Sequence, residues 1–132
     1  MALRWYSTVI QSTQPRELAA WWSQALGWEE VYADDDEVVI VPPWAREFTE
    51  TLPFHRVPPG LVFVRVSEAK SGQNRLHLDF APHKSDDRDA EIARLLELGA
   101  TPVDVGQADD VSWTVLADPE GNEFCVLSAR EF

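Results

Sequence analysis

The 132-residue sequence has a single cysteine, Cys125, and only two lysines, Lys70 and Lys84, beside nine arginines. One thiol cannot close an intrachain disulfide, which points to the reducing cytoplasm rather than to secretion. Long hydrophobic runs are also missing, and the apolar stretches fall far short of the ~20 residues that a bilayer crossing needs. The opening Met1-Ala2-Leu3-Arg4-Trp5-Tyr6 lacks the apolar region of a secretory leader, so no export is expected. Positive charge is scarce. Eleven Lys and Arg against 23 Asp and Glu leave a formal charge of −12 and a pI near 4.5. Such a surface repels phosphate backbones and anionic lipid, so neither nucleic acid nor a membrane is an expected partner. Small neutral or cationic molecules remain. With 45% hydrophobic and 11% aromatic residues, the chain has the apolar surface that a disordered chain lacks.

What is present falls into an order. Trp5 to Ile10 is β-branched and aromatic and reads as a strand. Pro15 suits a first helical turn capped by Thr13 or Gln14, and Leu18, Ala19, Trp22, Ala25 and Leu26 recur at helical spacing before Gly27 stops the helix. Strands follow at Trp28 to Ala33, Val38 to Val41 and Leu61 to Val66, with Asp34-Asp35-Asp36 as a turn. Residues 42–60 contain five prolines and no sustained period, so a long loop is expected there. The order then recurs. Arg75 to Phe80 reads as a strand, and Ser85 or Asp86 caps a helix with Ile92, Leu95 and Leu96 as its buried stripe and Gly99 as its stop. Strands at Thr101 to Val105, Trp113 to Ala117 and Glu123 to Leu127 complete the set, the last two joined by an Asp118-Pro119-Glu120-Gly121-Asn122 turn.

The chain therefore reads as two βαβββ modules, about 3–66 and 74–128, within one domain spanning 1–132. Ser7 precedes Gly27 by 20 residues and His77 precedes Gly99 by 22, a close internal match. The fold class is α+β, with helices on the outer face of a half-barrel-like mixed sheet around a central cleft. The stretches Pro15 to Trp28 (PRELAAWWSQALGW), Asn74 to Phe80 (NRLHLDF) and Asp118 to Leu127 (DPEGNEFCVL) carry a resemblance. The sequence resembles the vicinal oxygen chelate superfamily of glyoxalases, bleomycin resistance proteins, fosfomycin-resistance enzymes and extradiol dioxygenases. More narrowly it is similar to the glyoxalase-like domain proteins.

Alternation along the strands selects the candidate site. In RLHLDF, Leu76, Leu78 and Phe80 form an apolar, helix-side face, and Arg75, His77 and Asp79 share the other. In NEFCVL, Phe124 and Val126 are the helix-side pair, while Glu123, Cys125 and Leu127 point oppositely. The resemblance implies metal ligands on the first and last strands of each half. His77 and Glu123 hold those positions in the second half, and counting places Ser7 and Val64 at the corresponding first-half positions. Neither Ser7 nor Val64 is a competent ligand, whereas a catalytic metal usually takes three protein ligands and an open position. Asp79 stands about 6.6 to 6.8 Å along the strand from His77, an unusual reach for a third ligand. His77 and Glu123 are accordingly the catalytic candidates, and would hold a divalent metal (Zn, Ni, Mn or Fe) if one is bound. The expected cofactor is none.

Each residue also has a plainer reading. His77 beside Asp79 and Arg75 can be a hydrogen-bonded strand residue, Glu123 a paired carboxylate in a polar cleft, and Cys125 a small apolar side chain whose thiol His77 could activate. Trp21 and Trp22 read as core, and His83 as a solvated turn residue. Trp5, Ser7, Val64, Asp79, Trp113 and Cys125 are the expected ligand-binding residues, forming an aromatic pocket with few polar groups. Trp44, Phe48 and Phe54 in the long loop serve either as a lid or as a dimer contact. Three functions fit these residues: a metal-independent small-molecule binder or enzyme, a divalent-metal lyase or isomerase of glyoxalase type, and a homodimeric protein that sequesters an antibiotic. An extradiol dioxygenase is not expected, because its second histidine would stand where Ser7 does.

Overall fold

The computed structural model describes residues 3–48, 50–104, 106 and 112–131. Met1, Ala2 and Val105, on which parts of the sequence reading fall, lie outside the described residues. Two compact units divide at Ala69 and Lys70. The first contains β1 (Ser7–Ser12), α1 (Pro15–Leu26), β2 (Glu29–Ala33), β3 (Glu37–Val41), α2 (Ala45–Phe48) and β4 (Gly60–Arg65). Its sheet runs β1-β4-β3-β2, with β1 parallel to β4 and the other pairs antiparallel.

The sequence builds α1 as anticipated. Pro15 stands in the first turn, where its missing N–H is not needed. Ahead of it the Ser12 hydroxyl accepts a hydrogen bond from the Gln14 N–H at 2.9 Å, while Gln14 itself contributes no side-chain cap. Leu18, Ala19, Trp21, Trp22 and Ala25 are all buried, and Trp21 meets Trp22 edge to face at 5.1 Å. The helix packs on β3 and β4, where Val38, Ile40 and Phe63 expose no surface. Gly27 ends it at φ 68°, its N–H donating to the Ser23 carbonyl. The long loop is more structured than its prolines suggest. It forms α2 and a 3-10 turn at Phe54–Arg56, anchored by buried Ala45 and Val57. The Arg4 guanidinium lies over both Tyr6 and Phe54, at 4.7 and 4.9 Å, and fastens that turn to the residues before β1. Trp44, Phe48 and Phe54 remain exposed.

The second unit contains β5 (Leu78–Phe80), α3 (Arg88–Leu98), β6 (Thr101–Pro102), β7 (Thr114–Ala117) and β8 (Glu123–Val126). Its order, β5-β8-β7-β6 with β5 parallel to β8, repeats the first. This is the α+β architecture of two βαβββ modules. No described helix is long and apolar enough to cross a membrane.

Three local expectations are corrected here. The strand expected from Arg75 begins at Leu78, and Leu76, expected in the apolar face, is 88% exposed. The cause is a mismatch in chain length. Asn74 is bonded to Glu123 while Leu78 is already in register with Phe124, so four residues advance against one and must loop outward. The α3 cap is Asp87, one residue beyond the candidates, and its carboxylate accepts from the Ala90 N–H at 3.1 Å. Of the expected stripe only Leu95 is buried, and Leu96 is exposed. Arg88 in the first turn of α3 donates to the Leu127 and Val126 carbonyls, both at 2.9 Å, and to Thr114 Oγ1 at 3.0 Å. That guanidinium ties the helix start to the adjoining ends of β7 and β8.

Candidate functional site

The candidate site lies wholly in the second unit. β8 is flanked by β5 and β7, so its alternate side chains are fixed from both sides. Phe124 and Val126 are buried on one face, where Phe124 meets Phe80 edge to face at 5.9 Å. Cys125 on the other face stands directly between its register partners, Asp79 on β5 and Val115 on β7. Trp113, just before β7, and Leu127, just after β8, join them around a cavity of about 500 Å³. His77, Asp79, Gln73, Asn74 and Glu123 supply its polar lining.

Two polar pairs flank this apolar floor. In the first, His77 Nε2 lies 3.1 Å from Asp79 Oδ1, with both side chains about half exposed (50% and 49%). The outward loop before β5 makes the contact possible, because His77 is outside the ladder and not held at strand spacing. In the second, the Glu123 carboxylate, only 10% exposed, lies 3.1 Å from the Lys70 ammonium. The Asn74 N–H donates to the same carboxylate at 3.3 and 3.4 Å. Burial pushes the Glu123 carboxyl upward, but Lys70, its own backbone N–H and the Asn74 N–H outweigh it and hold the group below the usual range. Lys70 also donates to the Gly72 carbonyl, which shapes the segment leading into the site.

Cys125 behaves differently from the sequence expectation. Burial pushes its thiol pKa up, and the charge of Asp79 and the hydrogen bond to it act in the same direction. Burial is the larger cause and Asp79 adds to it, so the thiol is held in its protonated form rather than activated.

The remaining predicted residues separate. Trp5 is largely exposed ahead of β1, and Ser7 opens β1 opposite Gly60. Val64 lies opposite Gln11 and Glu37, four residues farther along β4, so it does not face Ser7. Gly60 is the residue across from Ser7, and a Cβ there would meet the Ile40 carbonyl oxygen at 2.9 Å. Arg75 is exposed and outside the strand. His55 is in the exposed 3-10 turn, and His83 Nδ1 is 2.7 Å from Ser85 Oγ in an exposed turn. Asp118 is buried and spent on its turn, accepting from the Glu120 and Asn122 N–H groups. Sequence reasoning missed Lys70 altogether. A lone lysine in a linker has no periodicity to mark it, although its being one of two lysines in an acidic chain was a usable signal.

A family model described as a glyoxalase-like domain matches residues 7–127. The chain belongs to the glyoxalase-like domain family. Among solved structures, this glyoxalase-like chain is similar to a glyoxalase/bleomycin resistance protein/dioxygenase family enzyme from Burkholderia phytofirmans PsJN. They share 17% identity with a TM-score of 0.69, over 97% of this chain and 100% of that one. It is also similar to the fosfomycin resistance protein FosX from Mesorhizobium loti, at 13% identity and a TM-score of 0.67, over 96% and 92% of the two chains. FosX from Listeria monocytogenes, solved with Mn(II) and a dihydroxypropylphosphonic acid, matches at 10% identity and a TM-score of 0.68, covering 98% and 92%. At such identities the likeness is one of fold. None of the curated proteins compared with the chain matches it.

The metal that the resemblance implies can be tested on these residues. His77 and Glu123 would be its second-half ligands. Glu123 does not fit that role as it stands, because Lys70 already neutralises its carboxylate and Asn74 occupies it. The neighbours of His77 are instead Asp79 and Cys125, whose ligand atoms lie with its own within 4.8 Å of one another.

Proposed function

We propose that this glyoxalase-like protein binds a small, partly aromatic molecule in the second-unit cavity and acts on it through His77 without needing a metal. The carrying observation is the 3.1 Å His77–Asp79 pair beside a floor of Trp113, Val115, Cys125 and Leu127. Apolar walls with a few convergent polar groups are the usual form of a small-molecule site. Asp79 faces Nε2, so in the neutral imidazole it favours the proton on that nitrogen and leaves the lone pair on Nδ1. That nitrogen then serves as hydrogen-bond acceptor or general base toward the ligand, with Asp79 orienting the ring. Glu123 is a positioning residue in this reading. Held by Lys70 and Asn74, it fixes the segment that carries His77.

A net charge of −12 and the half-exposed Asp79 favour a cationic ligand, which also supports a second reading as a sequestering protein. The proposed setting is a cytoplasmic homodimer, supported by the single cysteine and by the habits of the superfamily it resembles.

The test is a thermal-shift panel of aromatic amines, neutral aromatics and basic glycopeptides, followed by calorimetry on the hits. A ligand at one hundred times its Kd should stabilise the fold by about 2.7 kcal/mol. His77→Ala should weaken binding or turnover at least tenfold. Unchanged affinity and turnover in that variant would remove His77 from the role. Stabilisation by basic glycopeptides with no turnover would select sequestration.

A further inference from the structure

The structure points to a second property of the same pocket: we infer that His77, Asp79 and Cys125 form a site for a thiophilic divalent cation, zinc-like in its preferences, and that its occupation excludes the free His77–Asp79 pair. The inference does not rest on the small-molecule reading, since the ion itself is the ligand. The three donors are an imidazole nitrogen, a carboxylate oxygen and a sulfur, all within 4.8 Å of one another. Tetrahedral ligands about 2.0 to 2.3 Å from an ion stand about 3.3 to 3.7 Å apart, so the cluster needs to contract by roughly 1 Å.

The fold shows which donor can move. Asp79 and Cys125 are fixed as register partners on neighbouring parallel strands, and Cys125 is only 7% exposed. His77 precedes the ladder with a half-exposed side chain, so its rotation closes the site onto a rigid pair. Sulfur among the ligands selects zinc or cobalt over manganese or magnesium, which favour oxygen. Three protein ligands leave a fourth position open toward the cavity. An ion bonded to Nε2 takes the nitrogen that otherwise faces Asp79. Metal and metal-free function thus compete for one ring.

This donor set differs from the His77 and Glu123 pair implied by the resemblance, and it has its own test. Purified protein is titrated with Co(II) and followed by absorption, then competed with Zn(II). A 1:1 complex should show intense tetrahedral visible bands and a thiolate-to-cobalt band in the near ultraviolet. Cys125→Ser should remove the ultraviolet band and weaken binding at least tenfold, and Asp79→Asn should weaken it at least tenfold. His83→Ala, in the exposed turn before α3 and outside the cavity, should bind as wild type does. Melting curves of each variant establish that it is folded, and Asp79→Asn remains decisive if Cys125→Ser is not. Loss of binding in Glu123→Gln with retention in Asp79→Asn would overturn the inference, as would wild-type protein that takes up no cobalt or zinc. A chain that binds zinc but no panel compound would instead overturn the small-molecule reading alone.

Discussion

The two βαβββ units share one strand order and divide the labour between them. In the first, α1 buries six apolar side chains, including Trp21 and Trp22, over a sheet whose Val38, Ile40 and Phe63 have no exposed surface. In the second, α3 buries only Leu95 and is fastened at its start by Arg88. The leading strand pairs show the same split. β1 meets β4 over six residues from Ser7 and Gly60, neither of which carries an ionisable side chain. β5 meets β8 over three, leaving His77 just outside the ladder and Glu123 held by Lys70. A repeated topology therefore does not repeat its chemistry. Long strands and a tryptophan-rich helix supply packing in one unit, and a shortened strand frees polar side chains in the other.

The comparison breaks most visibly in the cores. Trp22→Ala should cost about 3–5 kcal/mol, the usual loss for truncating a buried aromatic residue. Leu95→Ala, on a helix with one buried side chain, should fall at the low end of the Leu→Ala range, about 2 kcal/mol. Urea denaturation of both variants measures the difference, and equal losses would show that α3 is as deeply packed as α1.

Lys70→Met sharpens the comparison at the site. It leaves the Glu123 carboxylate mostly buried without its cation, at a cost of about 1–3 kcal/mol near neutral pH. The sign with pH follows from the direction of the shift. A carboxyl held below its ordinary value contributes stability above that ordinary value and loses it as pH falls through the folded value. Wild type and Lys70→Met should therefore differ most at neutral pH and converge in acid. A gap in stability that stays constant from pH 7 to pH 3 would place the effect of Lys70 elsewhere. In the first unit, Gly60→Ala tests the matching strand start. Its Cβ would press on the Ile40 carbonyl at 2.9 Å, so a loss of about 1–3 kcal/mol is expected in the same denaturation assay.

The next effect is smaller and lies at a helix end. Asp87→Ala should cost about 1 kcal/mol, because its carboxylate satisfies the Ala90 N–H, whereas Ser85→Ala should leave the helix cap intact. Thermal melts separate the two. This pair also marks how far the sequence could be read. Strong local signals settled the elements: Pro15 and Gly27 bound α1, and the Asp118 to Asn122 turn joins β7 and β8, both as expected. What alternation could not see were contacts between residues distant in the chain. Lys70 and Asn74 reach Glu123 across some fifty positions, and no local pattern announces such a clasp. The same contacts explain why His77 pairs with Asp79 and Cys125 lies beside them, where strand spacing alone had set His77 and Asp79 apart.

Leu76 gives the smallest expected effect and the cleanest check of that explanation. By strand alternation it belongs with Leu78 and Phe80 in the core, and its replacement by serine should then cost as much as other buried leucine truncations, about 2–5 kcal/mol. The structure places it in the outward loop between Asn74 and Leu78, 88% exposed, where surface substitutions usually stay within about 0.5 kcal/mol. Leu76→Ser should therefore leave the denaturation midpoint almost unchanged while Phe124→Ala, on the buried face of β8, lowers it sharply. A large loss in Leu76→Ser would mean that the strand begins at Arg75 after all. His77 would then return to the ladder at strand spacing from Asp79, and the pair on which the proposed chemistry depends would come apart.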